Sequence, residues 1–209
     1  MIESTSAAER RTWTSLSEWS SLSDLGLLIL RLALGFELFA HGMQKFGLFS
    51  GTVGFDGKQV TGSAAVNAQA DFLGLLGYHP TTSLSWFLTG TELIAGILLI
   101  AGLVTPLAAA ALIGDMFNII FGLQWQSGWF GSADGGPGYE FAVVALGAAV
   151  AVSLVGPGRF SVDRALGWRL SGVPWGGAGV VVGLLVGLVV LVVFGPGFGG
   201  ADLGPPSGP

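Results

Sequence analysis

Apolar residues gather in five long runs, at residues 25–43, 84–104, 106–123, 138–155 and 178–194. A helix rises about 1.5 Å per residue, so about 20 apolar residues cross the roughly 30 Å of hydrocarbon in a bilayer. The pattern predicts an all-α membrane protein, a four-helix transmembrane bundle plus a fifth C-terminal transmembrane helix. Ser23 and Asp24 stand where N-caps of the first span belong, and Pro106 is a favourable first residue for the third. Only Thr105 and Pro106 separate the second and third runs, which makes those two a tight antiparallel hairpin. The fifth run is almost purely Val, Leu and Gly and carries no ionisable group.

Between the runs the chain changes character. Residues 1–24 form a cytoplasmic or interfacial segment in which Trp13, Leu16, Trp19 and Leu22 recur every three residues, the spacing of a short amphipathic helix on a membrane surface. Residues 25–166 make up the four-helix module, and 167–195 an inner loop with the fifth span. The Gly/Pro-rich tail, 196–209, reads as disordered. In the long loop after the first span, residues 64–76 read as a half-helix on the outer leaflet. A cleaved signal peptide does not fit the first run, which is too long for an h-region and contains Arg31 and Glu37.

Composition agrees with the runs. Of 209 residues, 51% are hydrophobic and 10% charged, against about 25% charged in soluble domains. The 36 glycines sit largely inside apolar runs, where small residues let helix backbones approach closely. A net charge of −5 without any basic stripe argues against a nucleic-acid partner. With no cysteine, thiolate catalysis, iron–sulfur clusters and cysteine zinc sites are excluded. Arg10, Arg11, Arg159, Arg164 and Arg169 flank one side of the spans and only Lys45 and Lys58 the other. The basic bias puts the N-terminus in the cytoplasm and the C-terminus outside, in a plasma-membrane protein that crosses several times. Trp86, Trp125 and Trp129 fall at the outer boundary, and Trp168 and Trp175 at the inner.

Ionisable residues within spans are costly and usually face the bundle interior in pairs. Arg31 lies about 9 Å and Asp115 about 13 Å from the inner edge, counted by helical rise, which suggests a structural ion pair. Glu37 and His41, spaced i,i+4, share one face in the outer half. Glu92 reaches a similar depth from outside, and Glu140 lies just above. This outer set of three carboxylates and one imidazole suits proton exchange, a polar ligand head group or a cation. One buried histidine without cysteine is a poor transition-metal set, so no metal is predicted.

These residues carry a resemblance. The run RLALGFELFAHGMQKFG (31–47) resembles the opening signature of the DoxX family. SWFLTGTELIAGILLIAGLVTPLAAAAL (85–112) is similar to that family's second and third helices. GGPGYEFAVVALGAAVAVSLVGPGRFSVDRAL (135–166) is similar to the fourth and its closing motif. The resemblance implies a membrane module of redox systems, related to the small membrane subunit of thiosulfate:quinone oxidoreductase. A fifth span and an N-terminal extension depart from the pattern. The expectation is a membrane subunit of a quinone-linked oxidoreductase or oxidative-stress complex. It would bind menaquinone or ubiquinone through Glu92, His41, Glu140 and Trp86, with Glu92, His41 and Glu37 as its chemically active groups. Membrane lipid and a peripheral oxidoreductase subunit are the implied partners. A non-catalytic scaffold for peripheral redox enzymes is the alternative; a proton-coupled transporter fits less well, since inverted repeats and broken helices are not evident.

Overall fold

The computed structural model describes residues 3–49, 52–53, 59–131 and 137–198, with side chains for residues 21–49, 60–131 and 137–198. The fold is helical apart from one minimal hairpin. Helix α1 (Glu3–Gln44) is followed by strands β1 (Thr52–Val53) and β2 (Gln59–Val60), then α2 (Ser63–Leu75) and α3 (Thr81–Ala101). Next come α4 (Thr105–Asn118), continued by a π-helical segment Ile119–Gln124, then α5 (Glu140–Val155) and the single turn α6 (Val162–Ala165). The last helix, α7 (Gly172–Val189), also runs on into a π-helical segment, Val190–Phe194. Among the described residues, three helical stretches are long and apolar enough to cross a membrane: Thr81–Ala101, Thr105–Ser127 and Gly172–Phe194. A fourth apolar helix, Glu140–Val155, is shorter.

Backbone proximity, made possible by glycine, decides how the helices meet. A Cβ on Gly96 of α3 would come within 2.6 Å of Phe39 N and 2.8 Å of Gly35 O, and one on Gly42 within 2.6 Å of Leu93 Cγ. The two helices are therefore antiparallel and nearly in backbone contact, the small-residue packing that membrane helices use. Helix α4 packs between α3 and α5, and α1 reaches α5 to complete the circuit. Leu34, Leu38, Leu99, Leu112, Ile113, Ala149 and Val152 fill the interior.

Helix α7 is more than an apolar addition. It packs along α4 and α5, and its buried residues are Gly176, Gly179, Gly183 and Gly187. A Cβ on Gly179 would meet Pro106 O, and one on Gly183 would meet Ala110 O, each at 2.6 Å. The stripe lets α7 lie against the α4 backbone while its Val and Leu side chains face outward.

Two expectations are corrected, on the cap of the first span and on the tail. Helix α1 runs through Ser23 and Asp24 without a break, and Asp24 instead accepts from Arg159 N at 3.0 Å. A single long helix needs no cap there. The amphipathic pattern ahead of it lies outside the described side chains. The half-helix at 64–76 appears as α2, Ser63–Leu75. The start of the tail is folded: Phe198 packs on Phe117 and Phe121, with centroids 6.3 and 5.7 Å apart. His79 N donates to Phe194 O and Gly197 N to Leu191 O, so backbone pairing holds this stretch against the bundle. The tail beyond residue 198 lies outside the described residues.

Candidate functional site

The last turns of α1 present a polar face. His41 Nε2 lies 3.1 Å from Glu37 Oε1, the i,i+4 contact that their spacing predicts. One turn on, Lys45 sits just past the helix end and is buried. Its ammonium donates to Glu92 Oε2 at 2.5 Å and to His41 O at 3.3 Å. Glu92 is thus one half of an ion pair that ties α1 to α3. Lys45 shares the face of Glu37 and His41 by continued i,i+4 spacing, the signal by which it could have been found.

Asp115 lies ten residues into α4, about 15 Å from Thr105, while Glu92 lies nine residues before the end of α3. An antiparallel hairpin puts these two at one height. Glu92, His41 and Lys45 are the ionisable groups whose fields reach Asp115. Glu37, His41, Glu92 and Asp115 line one wall region of a cavity of about 770 Å³. The remaining wall is largely apolar, with Leu38, Leu88, Ala95, Leu112 and Ile119 from the bundle and Val186 from α7. Trp86 also lines it. Glu140 does not: it is exposed at the start of α5, where its backbone N–H donates to Trp129 O. Among the described residues, no group of three or more His, Cys, Asp or Glu is placed to hold a metal ion.

Arg31 and Asp115 are not brought together. Arg31 is 1% exposed, and its guanidinium donates to Pro157 O and, at 2.5 Å, to Phe160 O. Two carbonyls of one turn match the fixed fork of a guanidinium, so Arg31 fastens the segment after α5 to α1. The count by helical rise placed it close to Asp115 because it took both helices as starting from one plane. Arg31 in fact stands beside Gly102, below the start of α4.

Asp163 carries the other half of this fastening and was missed as an individual residue, although the motif containing it was noticed. Fully buried, its carboxylate accepts from Val104 N at 2.7 Å, Thr105 N at 3.0 Å and Thr105 Oγ1 at 2.9 Å. Helix α4 has no capping side chain of its own, and Asp163 supplies the cap from 58 residues away. The turn it closes contains Gly102 and Val104, with φ of 67° and 43°. The closing GPGRFSVD motif is therefore a structural clasp at the end of the bundle remote from α2.

The model of the DoxX family matches residues 26–125. That stretch contains Arg31, Glu37, His41, Lys45, Glu92 and Asp115, whereas the motif around Asp163 lies beyond it. Comparison with curated proteins and with solved structures gives no match. Its apolar helices and this match together mark the chain as a membrane protein with a DoxX-like domain over residues 26–125.

Proposed function

We propose that this protein is a membrane subunit of a quinone-linked redox complex and binds a quinone-like ligand in the cavity between α1, α3, α4 and α7. In this reading the apolar half of α1 joins α3, α4 and α5 as a four-helix unit, α7 is a fifth span, and the N-terminus faces the cytoplasm of a plasma-membrane protein. The observation that carries it is a set of ionisable side chains, Glu37, His41, Glu92 and Asp115, in the wall of a largely apolar cavity of about 770 Å³. Small-molecule sites have that character: apolar walls, a few convergent polar groups and a volume of about 300–1,000 Å³.

A prenylated ring fits this set chemically, the apolar walls taking ring and tail and the polar side chains its two oxygens. When bound, such a ring supplies two-electron, two-proton redox chemistry. The chain's own residues bind and orient it, exclude water, and hold protons at the Glu92 and Glu37 carboxylates and the His41 imidazole. Trp86 borders the cavity, whereas Glu140 has no part in this proposal.

The test is binding and turnover with purified protein in uncharged detergent. Menaquinone should bind stoichiometrically, and Glu92→Gln should weaken binding or slow quinone reduction by the intact complex at least tenfold. Absence of binding, together with a Glu92→Gln protein that behaves as wild type, would sink the proposal. A scaffold role is favoured by one observation, the buried Lys45–Glu92 pair, with side chains 7% and 13% exposed, which serves helix packing without a ligand. In that case a soluble oxidoreductase co-purifies stoichiometrically and is insensitive to substitutions at Glu92 and His41.

A further inference from the structure

The polar part of the cavity wall is rich in acceptors, with Glu37, Glu92 and Asp115 among its residues. Asp115 reaches it with no hydrogen-bond or ion-pair partner among the described residues. Glu92 uses Oε2 for Lys45, and Lys45 does not itself line the cavity. The second carboxylate oxygen of Glu92 is left over. Among donors, Trp86 and Thr91 border the cavity as well, while those of Tyr78 and Asn118 are engaged. The Tyr78 hydroxyl donates to Asn118 Oδ1 at 3.2 Å. Both amide protons of Asn118 go to carbonyls, Gly114 O and Gly187 O, at 3.0 Å each.

Gln69, by contrast, is already engaged. The Ser85 hydroxyl has one proton and donates it to Val66 O at 2.7 Å, and the Thr89 hydroxyl donates its own to Ser85 O at 2.8 Å. The terminus of the Gln69 amide approaches these two hydroxyl oxygens at 2.9 and 3.3 Å. Gln69 Oε1 is the acceptor in both contacts and shares the hydroxyl protons with the two backbone carbonyls. Gln124, another lining residue, holds a buried Oε1 with no partner among the described residues.

We infer that the head group this cavity takes is a hydrogen-bond donor, received by Asp115 and the free oxygen of Glu92. An unfilled buried acceptor is costly, so a ligand that brings protons to these oxygens is favoured over one of the same shape that brings only oxygens. Within the quinone reading, on which this step rests, the preferred ligand is the dihydroxy, reduced ring, and the dione is the weaker one. Asp115 is then a binding residue rather than half of a structural pair.

Matched probes separate this inference from the reading beneath it. A decyl-substituted hydroquinone and its dione are titrated under anaerobic conditions against the full chain in uncharged detergent, with tryptophan fluorescence as readout. The hydroquinone should bind at least tenfold more tightly, roughly the factor of one hydrogen bond. In Asp115→Leu the preference should fall to within about twofold; Asp115→Asn, which changes shape least, should show an intermediate value. A dione that binds as well as the hydroquinone to wild type overturns the inference while leaving the quinone reading intact. If neither ring binds, dodecylamine and dodecyltrimethylammonium decide. The primary amine binding tenfold tighter, with that preference lost in Asp115→Leu, supports a donor head group and ends the quinone reading. Equal binding of the two cations, or of neither, overturns the inference.

Discussion

Replacing Asp163 with alanine tests the clasp most directly. The substitution removes three hydrogen bonds that converge on one fully buried carboxylate, from Val104 N, Thr105 N and Thr105 Oγ1. The freed Thr105 hydroxyl can turn to another acceptor, but the two N–H groups at the start of α4 are fixed by the helix. Hydrogen bonds to charged groups contribute about 1.5–3 kcal/mol each, so two of them amount to about 3–6 kcal/mol. That sum agrees with the roughly 3–5 kcal/mol reported for removing one partner of a buried ionic contact. Asp163→Asn keeps one acceptor oxygen and should lose only about 1–2 kcal/mol. The assay is reversible unfolding from dodecylmaltoside micelles by added SDS, followed by helical circular dichroism. An Asp163→Ala protein that loses less than about 1 kcal/mol refutes the assignment of Asp163 as the cap of α4.

The same unfolding assay checks two further expectations. Lys45→Met and Glu92→Leu should each cost about 3–5 kcal/mol, because each leaves a buried charge without its partner, and the double variant should cost well below their sum. Simple additivity in that cycle would show that the 2.5 Å pair does not couple α1 to α3. Gly96→Ala and Gly183→Ala should each lose about 1–3 kcal/mol through overpacking, because each Cβ would come within 2.6 Å of a neighbouring backbone atom. The outward-facing Val181→Ala is the control, and equal losses at all three sites contradict backbone contact between the helices.

The helices were legible because their cause is local. Apolar run length sets a span, and the observed α3, α4, α5 and α7 lie over the runs that composition marks out. The i,i+4 contact of Glu37 and His41 was legible for the same reason, being internal to one helix. Contacts between helices were not. The partner of Glu92 is 47 positions away, and that of Arg31 is a pair of backbone carbonyls, which have no signature in a sequence. Helical rise gives a depth only relative to an assumed end, and an error of one turn moves a residue about 5 Å. That error was enough to set Arg31 beside Asp115. The role of α7 was hidden differently: its glycines read as ordinary membrane composition until their periodicity met the α4 backbone.

The clasp around Arg31 also has a history within each molecule. Its carbonyl partners begin 126 residues downstream, and at about 5–20 residues per second a ribosome needs roughly 6–25 s to make that length. Throughout that interval the first apolar helix carries an arginine whose native acceptors do not yet exist, a burden of about 2.5–3.5 kcal/mol at mid-membrane. The nascent first helix therefore keeps Arg31 toward water, and draws it fully inward only after the fourth apolar helix has been delivered. Assembly is gated by the order of synthesis: one end of the bundle stays open until nearly four-fifths of the chain has left the ribosome.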